Sequence, residues 1–190
     1  INNRKLRTAI GQYAGLEGEA LGNLYRSIDK FDKIGADGVR EELVTRGISA
    51  EVVTRMMELI TARNPGLEQL DFLEEVLNSL PEAHEAIGEL RALSDHLSDA
   101  GVSLQNYEFD FTMVRGLGYY TGPIFETIIT EPNLGSVTGG GRYDDLIGLF
   151  RGESLPTTGT SLGIERIIDL MDILNLYPAH IGGTVVQVLV

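Results

Sequence analysis

The chain has 190 residues, enough for one large domain or two small ones, and its 43% apolar and 23% charged residues are those of a sequence able to bury a core. A net charge of −13 argues against a surface that grips a nucleic-acid backbone strongly. The absence of cysteine excludes disulfides and thiolate metal sites, His84, His96 and His180 are too scattered for a zinc centre, and neither a bilayer-spanning run nor a signal-peptide pattern is present.

From about residue 4 to 101 the pattern is helical. Leu21, Leu24, Tyr25, Ile28 and Phe31 form one apolar stripe, with Asp29 and Lys33 in the favourable i,i+4 order. Gly35 suits a helix stop, Asp37 suits the start of a short helix that Gly47 ends, and Ser49 suits the cap of the next. Val53, Met56, Met57 and Ile60 share a face of that helix, and Leu70, Leu73, Leu77 and Leu80 continue the pattern. Pro81 fits a first helical turn, and the helix it opens runs to Gly101. These stripes are read as core contacts and the charged faces between them as solvated.

From Val102 the texture turns to strands and glycines. "YEFDFTMV" places Tyr107, Phe109, Phe111 and Met113 on alternate positions, which predicts a half-buried strand. "PIFETIIT" predicts a second strand, and "EPNLG" a turn after it. "TTGTSLGIERIIDLMDIL" predicts a strand feeding a helix through Gly163. The polar start and the closing "GTVVQVLV", an apolar run that reads as a strand just beginning, lead us to expect an internal piece of a longer protein.

Three stretches of this second half carry chemistry. In "VRGLGYYTGPIFE", Arg115 stands at a strand end between flexible glycines, and its five fixed donors suit a carboxylate or phosphate. Tyr119 and Tyr120 are neighbours, so on a strand they face opposite ways and one of them lines a pocket. The same residues also fit a turn with a surface arginine and two half-buried aromatics. In "GGGRYDDL", Gly139, Gly140 and Gly141 fit a site where a ligand or a neighbouring strand comes too close for side chains, or a tight turn; no P-loop or dinucleotide fingerprint is present. In "GTSLGIERI", glycine at both ends of a strand bares the sheet for a flat ring. Arg166 then opposes the dipole of the helix whose first turn it occupies, a position that suits a polyphosphate; an exposed arginine is the plainer reading, and Glu165 reads as a solvated or ion-paired carboxylate.

In this order, "RGLGYYTGPIFE", "GSVTGGGRYDDL" and "TGTSLGIERI" closely resemble the two histidine motifs and the class II motif 3 of the histidyl-tRNA synthetases. "INNRKL", "SIDKFDKIG" and "ELVTRGIS" are similar to that family's segment after motif 2 and its helical insertion, so the resemblance covers essentially the whole chain. It implies an α+β fold: a partial class II antiparallel sheet with flanking helices and a helical insertion subdomain. Residues 1–34 would follow motif 2 in the core, 35–104 would be the insertion, 105–182 the core with the three motifs, and 183–190 the start of an anticodon-binding domain.

The implied activity of the parent is that of a histidine–tRNA ligase: histidine and ATP form histidyl-adenylate, and the histidyl group passes to tRNA(His). By the same resemblance Arg115 contacts the histidine carboxylate and the α-phosphate. Tyr119, Tyr120 and Tyr143 line the histidine pocket, with Tyr120 reaching the imidazole, and Gly139 and Gly140 allow close approach of the backbone. Gly163 lies under adenine, Arg166 holds the γ-phosphate, and Glu126 falls where the class places a magnesium-binding acid. ATP and Mg²⁺ are the substrate complex, with no tightly bound cofactor. The parent is expected to be a cytoplasmic homodimer that meets tRNA mainly through parts outside this chain.

Two positions depart from the family pattern. Gly118 replaces a usual acid, and Thr158 stands where alanine is common. Motifs 1 and 2 would precede Ile1, so the isolated chain is expected not to complete adenylation. The competing reading is a synthetase-like regulatory subunit that partners ATP phosphoribosyltransferase and binds histidine without aminoacylation. A further one is the synthetase-like domain of a starvation-sensing kinase. The regulatory subunit can keep a YYTG-like stretch and GGRYD but tends to lose the motif 3 Glu-Arg and to drift at the first arginine, and the kinase domain is expected to degrade these motifs; the presence of Arg115 and Arg166 together favours the enzyme.

Overall fold

A computed structural model describes residues 1–113 and 118–181. A two-residue strand β1 (Asn2–Asn3) leads directly into helix α1 (Arg4–Ala14). Asn3 makes that junction possible: its backbone is extended, and its side-chain oxygen accepts from the Lys5 N–H at 2.9 Å, capping a helix donor that has no partner of its own. Helices α2 (Gly18–Ile28), α3 (Phe31–Thr45), α4 (Ala50–Thr61), α5 (Glu68–Val76) and α6 (Pro81–Asp99) follow.

Most of the punctuation expected from the sequence is present, but Asp37 does not cap a helix: it lies within the helical backbone of α3. Gly35, at φ 68°, breaks α3 into two pieces. Ser49 accepts from the Val52 N–H, Pro81 opens α6, and Gly101 follows it with φ 78°. The stripes face inward. Leu24 and Ile28 of α2, Val53, Met56, Met57 and Ile60 of α4, Leu70 and Leu73 of α5, and Ala86 and Leu90 of α6 are all at most 2% exposed and share one core with Leu6 and Ala9 of α1. Buried Gln69 ties the loop before α5, donating to the Ala62 carbonyl and accepting from the Asn64 N–H, both at 2.7 Å.

The strand expected at "YEFDFTMV" is not formed. Asp110 is the physical reason: its carboxylate accepts from both the N–H and the hydroxyl of Thr112, at 2.9 and 2.6 Å, and curls the chain into a turn. The apolar alternation is still used, since Phe109 and Phe111 enter the helical core and Tyr107 bonds Ser94 of α6 at 2.8 Å.

Strands β2 (Pro123–Ile129) and β4 (Thr158–Leu162) are as expected; β3 (Gly135–Arg142) forms where the glycine run had suggested a tight turn or a close approach, with α7 (Gly148–Arg151) before β4 and α8 (Ile164–Ile173) after it. The open sheet has the order β1-β2-β3-β4. β1 pairs antiparallel to β2 with Asn2 opposite Ile124 and Asn3 opposite Pro123, and β2 returns as β3 through a turn closed by Asn133, which accepts from the Gly135 N–H at 3.1 Å. Two compact units result. One contains Ile1–Phe125 and Gly141–Gly159, the other Glu126–Gly140 and the chain from Thr160 onward. Among the described residues no helix is long and apolar enough to cross a membrane.

Candidate functional site

The first unit gathers three tyrosines. Tyr119 and Tyr120 lie in the turn before β2, not on a strand, so they are not forced to opposite faces. Their ring centroids are 4.8 Å apart, and both rings meet Tyr143, at 5.5 and 6.2 Å. The expectation of opposite faces on a strand is corrected: all three rings form one cluster, each half-buried. Burial first, then the neighbouring Tyr119 and Tyr143 phenols, raises Tyr120 above the ordinary tyrosine value. Its hydroxyl therefore keeps its proton at neutral pH and is available as donor or acceptor.

Glycines make room for these rings. A Cβ on Gly141 would sit 2.9 Å from Tyr120 Cδ1 and 2.8 Å from the Pro123 carbonyl oxygen, closer than side-chain atoms pack. A Cβ on Gly159 would strike the Tyr143 hydroxyl. Gly159 was expected to bare the sheet for a ligand ring; the ring it admits is one of the protein's own. Gly118, where the family pattern has an acid, is exposed, and a Cβ there would meet nothing within 4 Å.

A hydrogen-bonded lattice holds the tyrosine segments together. The Thr121 N–H donates to the Arg142 carbonyl at 2.8 Å, and the Asp144 N–H donates to the Thr121 hydroxyl at 3.0 Å. Arg142 Nε donates to both Asp144 oxygens, at 2.9 and 2.8 Å, and the Thr157 N–H reaches Asp144 Oδ1 at 3.2 Å. The Arg142 hydrogen bonds, followed by that of Thr157, outweigh burial and hold Asp144 below its ordinary value. Thr121, Arg142 and Asp144 were not singled out in the sequence. A signal was there, because Arg142 and Asp144 are opposite charges two residues apart.

The second unit holds the other candidates. Gly139 and Gly140 lie on β3, where the Gly139 carbonyl accepts from the hydroxyls of Thr160 at 3.3 Å and Ser161 at 3.1 Å. The Gly163 N–H bonds the Val137 carbonyl at 2.8 Å and starts α8. A Cβ at Gly163 would make only ordinary contacts, 3.4 Å from that carbonyl and 3.8 Å from Arg166 Cδ, so packing within this unit does not demand glycine there. Arg166 is exposed on the first turn of α8 and donates through Nη1 to the Ser136 carbonyl at 2.5 Å, which fixes one arm of the fork. Glu126 is half-buried on β2. No group of three or more metal-binding side chains occurs among the described residues. Arg115 lies outside them.

The model of the family "Histidyl-tRNA synthetase" matches residues 1–167. The histidine–tRNA ligase of Aeropyrum pernix is 44% identical over all of this chain and 42% of its own length, and that of Korarchaeum cryptofilum is 42% identical over 89% of this chain and 38% of its own. A crystal structure of histidyl-tRNA synthetase from Nostoc sp. PCC 7120 superposes with a TM-score of 0.83 at 30% identity, covering 93% of this chain and 42% of that one. The chain thus spans about two fifths of the length of these relatives. With the match extending through all three motifs to the first turn of α8, the chain belongs to the histidyl-tRNA synthetase family.

Proposed function

We propose that this chain is the part of a histidine–tRNA ligase that recognises histidine and contributes to ATP binding. Residues 1–34 and 105–182 serve as catalytic core, 35–104 as the helical insertion, and 183–190 begin an anticodon-binding domain. The observation that carries the reading is the meeting of Tyr119 and Tyr120 with Tyr143, which brings the two histidine motifs into one cluster. Three half-buried rings that carry hydroxyls suit a flat imidazole that both packs and hydrogen-bonds.

In the reaction a histidine carboxylate oxygen attacks the α-phosphorus of ATP, and the bond to the β-phosphate oxygen breaks to release pyrophosphate. The amino acid's carbonyl carbon then passes to a tRNA hydroxyl and AMP leaves. Arg115 offsets charge at the carboxylate and α-phosphate, Arg166 holds the terminal phosphate, and Gly163 admits adenine. Glu126 would supply a carboxylate to the magnesium ion that accompanies ATP as substrate. The ligase is read as a cytoplasmic homodimer.

The test is histidine-dependent ATP–pyrophosphate exchange by the ligase that carries this segment, with Arg115→Ala beside it. We expect exchange that requires histidine and falls by about 100-fold or more in the variant. Histidine binding without exchange would replace this reading with the regulatory subunit. The 190-residue chain alone is expected to show no exchange, and turnover by it would refute the assignment of further catalytic groups to the rest of the ligase.

A further inference from the structure

Helix α6 contributes a charged side chain to the tyrosine segments, and neither the three motifs nor the reading above gives it a role. Glu89 is only 19% exposed and stands among four groups. Its Oε2 accepts from Asn3 Nδ2 at 2.8 Å. Its Oε1 accepts from Lys5 Nζ at 2.6 Å and faces Arg142 Nη1 at 3.7 Å. The fourth is Gly122, where a Cβ would lie 3.2 Å from Glu89 Oε2 and 3.1 Å from Arg142 Cδ. Glu89 and Arg142 thus lie together over the backbone of the turn that carries Tyr119 and Tyr120. The Gly122 carbonyl is itself held by the Arg4 N–H at 2.9 Å.

We propose that Glu89 is a positioning residue for histidine recognition: by fixing Arg142 against Gly122, it sets where Tyr120 and Tyr143 stand. The proposal rests on the histidine-pocket reading above. The path is short. Arg142 adjoins Tyr143 in sequence, and its carbonyl accepts from Thr121, which adjoins Tyr120. Asp144, on the other side of Tyr143, is held by the Arg142 guanidinium and the Thr121 hydroxyl. Asn3 and Lys5 hold the Glu89 carboxylate through hydrogen bonds at 2.8 and 2.6 Å. Neighbouring Glu85 also bonds Lys5, at 2.7 Å, but is 63% exposed and supplies the internal control.

The experiment measures steady-state exchange in the ligase carrying this segment, for wild type, Glu89→Ala, Glu89→Gln and Glu85→Ala, with melting curves for each. Because small displacements of positioning groups are costly, we expect Glu89→Ala to raise the histidine KM by about tenfold and to leave the ATP KM within about twofold. Glu89→Gln keeps an oxygen for Asn3 and preserves shape if the alanine variant unfolds; it is expected to raise the histidine KM by about threefold. Glu85→Ala should leave both constants within about twofold. Equal changes in the two KM values, no change in folded Glu89 variants, or a Glu85→Ala effect as large as that of Glu89→Ala would each overturn the proposal. Wild-type protein that shows no histidine-dependent exchange would instead overturn the functional reading, and the positioning role with it.

Discussion

Helices α4 and α8 make an instructive pair. Both alternate apolar and charged residues at helical spacing, and both follow a short non-helical connection. In α4, Val53, Met56, Met57, Leu59 and Ile60 are at most 2% exposed. In α8 no residue is buried, and Ile164, Ile168 and Ile173 remain 55%, 44% and 54% exposed. Periodicity orients a face; it does not supply what covers that face. α4 belongs to a unit in which six helices close around one core, whereas α8 belongs to the smaller unit of a chain that spans about two fifths of its relatives' length.

The sharpest way to break this comparison is to truncate one residue from each helix and measure denaturant unfolding of the 190-residue chain. Met57→Ala should cost about 2–5 kcal/mol, because it removes a fully buried side chain and leaves a cavity. Ile168→Ala should fall within about 0.5 kcal/mol of wild type. Equal losses would mean that α8 is covered within the chain after all.

A second test contrasts two glycines of the tyrosine region. Gly141→Ala should destabilise by about 1–3 kcal/mol, since its Cβ must displace Tyr120 or the Pro123 backbone, and Gly118→Ala, with open space around it, should stay within about 0.5 kcal/mol. Thermal unfolding of the two variants reads the difference directly. Smaller still, Ser49→Ala should cost about 0.5 kcal/mol, the low end for an N-cap, because its bond to Val52 is 3.4 Å long and exposed.

The last test concerns pH. Asp144 is held below its ordinary 3.8, so its contribution to stability is complete above that value and is lost as pH falls through the lower folded value. Asp144→Asn should therefore flatten the acid limb of the stability curve and leave its slope near neutrality unchanged. An unchanged acid limb would show that the Arg142–Asp144 contact contributes nothing to folding.

Much of this was legible in the chain itself. The helix stops at Gly35 and Gly101, the Ser49 cap and the start at Pro81 follow from local backbone chemistry, which depends only on neighbours in sequence. The Tyr107–Met113 alternation misled for a related reason. It records which side chains are buried, while the Asp110 side chain, by bonding Thr112, settles the backbone as a turn. Tyr119 and Tyr120 misled because opposite faces follow only if the residues are on a strand, and they lie in the turn just before one.

What the sequence by itself determined is the inventory: the helical half, strands β2 and β4, the glycines near the tyrosines and the residue types of the three motifs. These reside in propensity and spacing. Only the tertiary structure decided that Tyr119, Tyr120 and Tyr143 share one cluster, that Gly141 is wedged against Tyr120, and that Glu89 of a distant helix closes over Gly122 and Arg142. Such meetings depend on where separate elements pack, and no local pattern encodes a distance between residues that the chain brings together only on folding.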